Sequence, residues 1–379
     1  MKSNRRQMRR LRSGANGSPT SCSLFPAPRA FTLVELLVVI TIIGILAALI
    51  TAAGVGALKR AQQTRIKVEV DQIAMALQSF KDTAGAYPPN CQVDGNSGPL
   101  DENQVLTDLK RQLKQAFPRH REPDALLAAL VGLGGSGPNL PGGMSSGEAL
   151  VFWLGGFSSD PKYPISGEGG PSYRIPAKGA ADNNTLDPIE SRKWIYPFEV
   201  ARLQPRNTSN YYSSNRWIEY TDPQNSGQSR RVNFWQYVPA KSEQPFLYFD
   251  TSRHPAAVRD ASNNVVAWYD PPAATLATGS DMALDVHAIK KTSESTAANV
   301  PIQFATPDKF QILHCGVDDE WDDVDSSGEL IHFSQMSAAH ASPPENVESY
   351  LLFPDGPFTG AVADTITNFS EGTLEASQP

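Results

Sequence analysis

Cysteine is scarce, with only Cys22, Cys91 and Cys315 in 379 residues. That excludes a disulfide-stapled scaffold and a four-cysteine zinc site. Positive charge is also short: 33 Lys and Arg stand against 40 Asp and Glu, a net charge of −7. A protein that neutralises nucleic-acid phosphates needs the opposite balance, so nucleic acid is not expected as a partner. No G-x-S-x-G elbow, H-E-x-x-H pair, P-loop or dinucleotide-binding glycine pattern occurs. The six histidines (His120, His254, His287, His314, His332 and His340) show no metal-ligand spacing. No internal repeat is found. The chain therefore reads as a non-enzyme.

What is present is unevenly placed. Residues 1–30 hold Lys2, Arg5, Arg6, Arg9, Arg10, Arg12 and Arg29 and no acid. Without these seven, the remainder carries 26 basic against 40 acidic residues, a net charge of −14. Gly14, Gly17, Pro19, Pro26 and Pro28 oppose a stable helix here. A basic, unstructured leader before an apolar run reads as a targeting segment, left out of fold reasoning.

Leu36–Leu58 contains 23 residues without a formal charge. As a helix the run spans about 35 Å, enough to cross a bilayer core. It is apolar on all sides, unlike an amphipathic surface helix. The basic leader predicts a cytoplasmic N-terminus in the inner membrane and an extracytoplasmic, periplasmic remainder. Glu35 is the anomaly, a carboxylate between Phe31-Thr-Leu-Val and Leu-Leu-Val-Val. It is either a tolerated interfacial acid or one that awaits a cationic partner. Cleavage just before Phe31 would create such a partner, a free α-amino group.

The stretch Arg29-Ala30-Phe31-Thr32-Leu33-Val34-Glu35-Leu36-Leu37-Val38-Val39-Ile40 resembles the prepilin processing motif shared by type IV pilins and type II secretion pseudopilins. The resemblance implies that a prepilin peptidase cuts between Ala30 and Phe31 and N-methylates Phe31. It also implies that Glu35 pairs with a neighbouring subunit's N-terminus during filament assembly. Ala30 departs from the family's usual Gly, and Ala52 stands where many relatives carry Pro.

Beyond Lys59 the pattern becomes amphipathic. Ile66, Val70, Ile73, Leu77 and Phe80 fall at spacings of 4, 3, 4 and 3, one face of a helix. Gly85 and Pro88-Pro89 end it. One helix from about Phe31 to Thr83 is expected, its first half in the membrane and its second packed on a head. Gly85-Ala86-Tyr87-Pro88-Pro89 resembles the Tyr-Pro segment of major pseudopilins. The expected organisation is a leader at 1–30, a membrane and stem helix at 31–85, and a head at 86–379. The fold class is α+β, a pilin-like long helix against an antiparallel sheet with long loops. Helices are expected at Val105–Phe117, Pro123–Leu133 and Ser146–Leu154. Strands are expected at Lys193–Phe198, Arg231–Val238, Phe246–Phe249, Val265–Tyr269 and Lys309–His314.

Asp318, Asp319, Glu320, Asp322, Asp323, Asp325 and Glu329 crowd twelve positions. Lys309–Asp318 is similar to the last strand of major pseudopilins, which runs into a calcium-binding loop. The resemblance implies calcium at Asp318, Asp319, Asp322, Asp323 and Asp325; a solvated acidic loop is the alternative. An oxidising compartment permits a disulfide between Cys91 and Cys315.

The function expected is a structural, pseudopilin-like subunit of a periplasmic filament, most simply of a type II secretion system. Its partners are prepilin peptidase, like subunits, an inner-membrane assembly platform and membrane lipid. The alternatives are a type IV pilus subunit and a membrane-anchored binding module or enzyme on a borrowed stem.

Overall fold

The computed structural model describes residues 31–93, 99–133, 140, 142–172, 193–204, 216–224, 229–262, 265–269, 286–292, 299–324, 330–334, 352–356 and 358–379. The leader, with Ala30 and Cys22, lies outside them, as do Asp325 and Glu329. The chain forms two compact units that divide between Gly56 and Ala57, inside the first helix.

That helix, α1, runs over Leu33–Ala84, 52 residues. Gly85 stops it. Its φ of +81 is a left-handed cap that glycine adopts without a Cβ clash, and its amide closes on the Lys81 carbonyl at 2.7 Å. In the first unit the described apolar side chains of α1 are exposed, from Leu33 to Val55.

The second unit holds the core. Ile66, Val70, Ile73, Leu77 and Phe80 are all buried, so the 4-3-4-3 face packs inward as its spacing requires. Polar groups pin the same stretch. Lys67 Nζ reaches the Thr367 carbonyl at 3.0 Å, Lys59 Nζ reaches Asp364 Oδ2 at 2.7 Å, and Arg202 pairs with Glu69.

Three shorter helices follow: α2 (Glu102–Ala116), α3 (Asp124–Leu130) and α4 (Ser146–Leu154). Asp101 caps α2, accepting the Gln104 amide at 2.7 Å. Helix α4 is buried along its whole length and starts with a capping box between Ser145 and Glu148. Glu148 is also paired with Arg216 at 2.8 Å, and both side chains are almost wholly buried.

The strands are short: β1 (Leu203–Gln204), β2 (Trp217–Thr221), β3 (Ser229–Asn233), β4 (Gln236–Tyr237), β5 (Leu247–Asp250), β6 (Ala257–Arg259), β7 (Val265–Trp268), β8 (Lys290–Lys291), β9 (Phe310–His314), β10 (Leu352–Phe353) and β11 (Ile366–Thr367). A one-turn helix, α5 (Ile331–Ser334), lies between β9 and β10. The central sheet is antiparallel in the order β11-β9-β5, with Leu247 opposite Leu313 and Ile366 opposite His314. The remaining pairs are antiparallel β1–β4, β2–β3 and β6–β7, and parallel β8–β10. The fold is α+β.

Alternation along the central strands divides the core in two. Phe246, Tyr248, Phe310 and Ile312 join α1, α2 and α4 in one cluster. Leu247, Phe249, Leu313 and Cys315 join Trp321, Phe333 and Phe358 in the other.

Two expectations are corrected. Lys193–Phe198 is not a strand; the amides of Ile195 and Tyr196 instead close on the Leu154 carbonyl at the end of α4. Aromatic content drew the strand assignment, but here Tyr196 and Phe198 pack their rings against Tyr237. Cys91 and Cys315 are both free thiols. They belong to the two clusters on opposite faces of the central sheet, so the expected disulfide is not formed.

Candidate functional site

The first turn of α1 brings Phe31, Thr32 and Glu35 together. Thr32 precedes the helix and occupies its N-cap, with Glu35 three residues on, the spacing of a capping box. The Glu35 carboxylate accepts the Thr32 amide at 2.9 Å and the Thr32 hydroxyl at 2.9 Å. The Thr32 hydroxyl accepts the Glu35 amide at 3.2 Å. Glu35 is thus held by its own helix turn, beside a Phe31 that is 75% exposed.

Beyond Glu35 the surface is uncharged as far as Leu58. The hydroxyls of Thr41 and Thr51 return to the carbonyls of Val38 and Ala47, at 2.8 Å each. In lipid every backbone polar group must be satisfied within the segment, and the helix does this. Among the described residues this is the helix long and apolar enough to cross a membrane.

Residues 27–51 match the model of the prokaryotic N-terminal methylation motif. The chain carries the prepilin processing signal. This motif marks prepilin-type cleavage in type IV pilins and pseudopilins, and it implies processing by prepilin peptidase and assembly with like subunits. It spans Ala30, Phe31 and Glu35, the three residues expected for processing and assembly. The motif and the apolar helix together make the N-terminal segment a single-pass membrane anchor. No curated protein and no solved structure shows significant similarity to the chain.

The Tyr-Pro segment is a packing junction. Its three successive carbonyls each accept a side-chain hydrogen bond: Tyr87 from Arg253 at 2.6 Å, Pro88 from Tyr248 at 2.7 Å and Pro89 from Trp153 at 2.8 Å. Beside it lies a small cavity of about 70 Å³, lined mainly by apolar groups such as Pro89, Leu100, Phe249 and Phe304. Within it Arg253 pairs with Asp250, and His254 Nε2 lies 3.2 Å from an Asp108 carboxylate oxygen.

Among the described residues, the acidic segment after β9 turns its carboxylates to separate partners. Asp318 accepts the Glu320 amide at 3.2 Å; burial and the neighbouring Asp364 raise its pKa. Asp319 accepts the Ser242 hydroxyl and the Glu243 amide. Asp322 is buried and engages both the amide and the ring of His332, at 2.6 and 2.7 Å, as well as the Phe333 amide. The Asp323 carboxylate lies against Gly360. Calcium takes six to eight oxygens around one point, and these four described aspartates face different partners.

Sequence reasoning missed His314, which is fully buried at the end of β9. Its Nδ1 accepts the Gly316 amide at 3.0 Å, so the proton sits on Nε2. Nε2 faces the Ser242 hydroxyl at 3.1 Å and the Gln244 carbonyl at 3.2 Å. Burial pushes its pKa down to about 4. Burial likewise pushes the Cys315 thiol up.

Proposed function

We propose that the protein is a structural, pseudopilin-like subunit: a prepilin peptidase removes residues 1–30, and the mature chain assembles into a periplasmic filament of a type II secretion system. The observation that carries this reading is the bare, uncharged helix surface beginning at Phe31, interrupted by Glu35 alone. An apolar surface of that length needs lipid or other apolar helices around it. Before assembly the surface lies in the inner membrane with the leader on the cytoplasmic side; after assembly other stems cover it. A carboxylate inside such a bundle is costly alone and tolerable when paired. The new α-amino group of Phe31 on a neighbouring subunit supplies the pairing charge.

The head supports a structural role over an enzymatic one. Ser242, His314 and Asp319 are wired in the wrong order for a nucleophile. In a hydrolytic triad the carboxylate holds the histidine, whose free nitrogen takes the serine proton. Here the carboxylate takes the serine proton, and the histidine nitrogen facing the serine already carries one.

Site-specific crosslinking of stems in host membranes tests the proposal. The native chain is expected to give a ladder of crosslinked subunits. Glu35→Gln is expected to remain processed and membrane-bound while losing most of the ladder. An undiminished ladder in Glu35→Gln would sink the pairing role.

A further inference from the structure

The end of β9 and the turn after it carry a second constellation. A ring nitrogen of His314, the Cys315 sulfur and an Asp319 carboxylate oxygen all lie within 4.8 Å of one another. His314 and Cys315 are fully buried, and Asp319 is half-buried at the edge of the cluster. The backbone makes the meeting possible. Gly316 has a φ of +107 and Asp319 a φ of +60, and together they fold the turn back so that Asp319 returns to the strand it left. Without that return, an acid four residues beyond Cys315 would point away.

We propose that His314, Cys315 and Asp319 form a binding site for a divalent transition metal with affinity for thiolate, zinc being the ion that fits. The donor set decides the class. Imidazole, thiolate and carboxylate together suit zinc and its first-row neighbours, whereas calcium and magnesium take oxygen. Ligands around a tetrahedral zinc lie roughly 3.5 Å apart, given metal–ligand distances near 2.0–2.3 Å, so small side-chain movements close the site. Asp319 exchanges its hydrogen bond from Ser242 for the metal, and the freed hydroxyl remains beside His314 at 3.1 Å. His314 exchanges one of its present contacts; the Gln244 carbonyl, 3.2 Å from Nε2, is the type of outer partner that orients a ligating histidine. Cys315 binds as thiolate and releases its proton to solvent. A solvent molecule completes the fourth position. The ion ties the end of the central strand to the acidic turn, a link the hydrogen bonds through Ser242 make more weakly.

Cobalt(II) titration of the full chain in detergent tests this, because a cobalt–thiolate bond gives a charge-transfer absorption that oxygen ligands do not. One cobalt per chain is expected, with that band present, zinc displacing it and excess calcium leaving it unchanged. Cys315→Ser is expected to abolish the band. Asp319→Asn, a change at the half-buried edge, is expected to weaken binding at least about tenfold in a chain that still unfolds cooperatively in chelator, with a lowered midpoint from the lost carboxylate hydrogen bonds. No band in the native chain would overturn the proposal, and so would a band that survives in Cys315→Ser or an unchanged affinity in folded Asp319→Asn.

Discussion

Thr32 and Glu35 cap each other across the first turn of α1, each side chain accepting the other's backbone amide. In a lone chain this holds the carboxylate in place. In the proposed filament the same carboxylate pairs with a neighbour's α-amino group, and the charged pair would be the stronger contact. On the proposed pairing, Thr32 is expected to be dispensable for assembly and Glu35 is not. Thr32→Ala is expected to keep the crosslinked ladder that Glu35→Gln loses. Equal loss in both variants would show that the capping box itself, not the intermolecular pair, is what assembly requires.

The second half of α1 is core, not merely stem. Leu77 is fully buried, whereas Met75 is 65% exposed. Leu77→Ala should cost about 2–5 kcal/mol through lost burial and a residual cavity. Met75→Ala should stay within about 0.5 kcal/mol of the native chain. Denaturant unfolding of the two variants in detergent checks the contrast; comparable losses would contradict it.

Glu148 and Arg216 form a buried ion pair in the same core. Arg216→Met leaves the Glu148 charge uncompensated and should cost about 3–5 kcal/mol. Glu148→Gln in the same chain removes that charge while still accepting the Ser145 amide, which Glu148 Oε2 accepts at 2.8 Å in the native chain. The double variant should recover much of the loss. Thermal unfolding of both variants measures this, and no recovery would mean that Arg216 acts through packing and its bond to the Gly143 carbonyl rather than through the charge pair.

Asp322 raises the pKa of His332 above its ordinary 6.5, chiefly through their hydrogen bond. A histidine with a raised folded pKa stabilises the fold fully below its unfolded value. The contribution is lost as the pH rises through the higher folded value. His332→Gln should therefore lose more stability at pH 6 than at pH 8, relative to the native chain, in chelator. A pH-independent difference would show that the ring acts only as a neutral hydrogen-bond partner.

The parts of this molecule that were legible in its sequence are those set by local pattern. Ile66 through Phe80 declared their face by helical period, and Ser146–Leu154 declared a buried helix by its unbroken apolar run behind a serine cap. Phe310–His314 was legible as a strand, but not as the strand whose alternation splits the core. The same partition keeps Cys91 from Cys315, and no spacing between two cysteines encodes it. The carboxylates after β9 could be counted in advance; their directions could not, because Asp322 turns to α5 and Asp319 turns back to Ser242. His314 and Asp319 likewise meet only through the backbone at Gly316, and their spacing resembles no common metal signature. Phe31, Thr32 and Glu35 were legible for the opposite reason, since their relation lies within one helical turn.

The central claim is that this chain is cut before Phe31, methylated on it, and then assembles through the exposed stem. Mass spectrometry of the N-terminal peptide, taken from membranes of a host with active prepilin peptidase, tests it most directly. The account predicts an N-methylated Phe31 as the first residue. An intact chain still carrying residues 1–30 would contradict it, and the head would then have to carry the function from a permanent anchor.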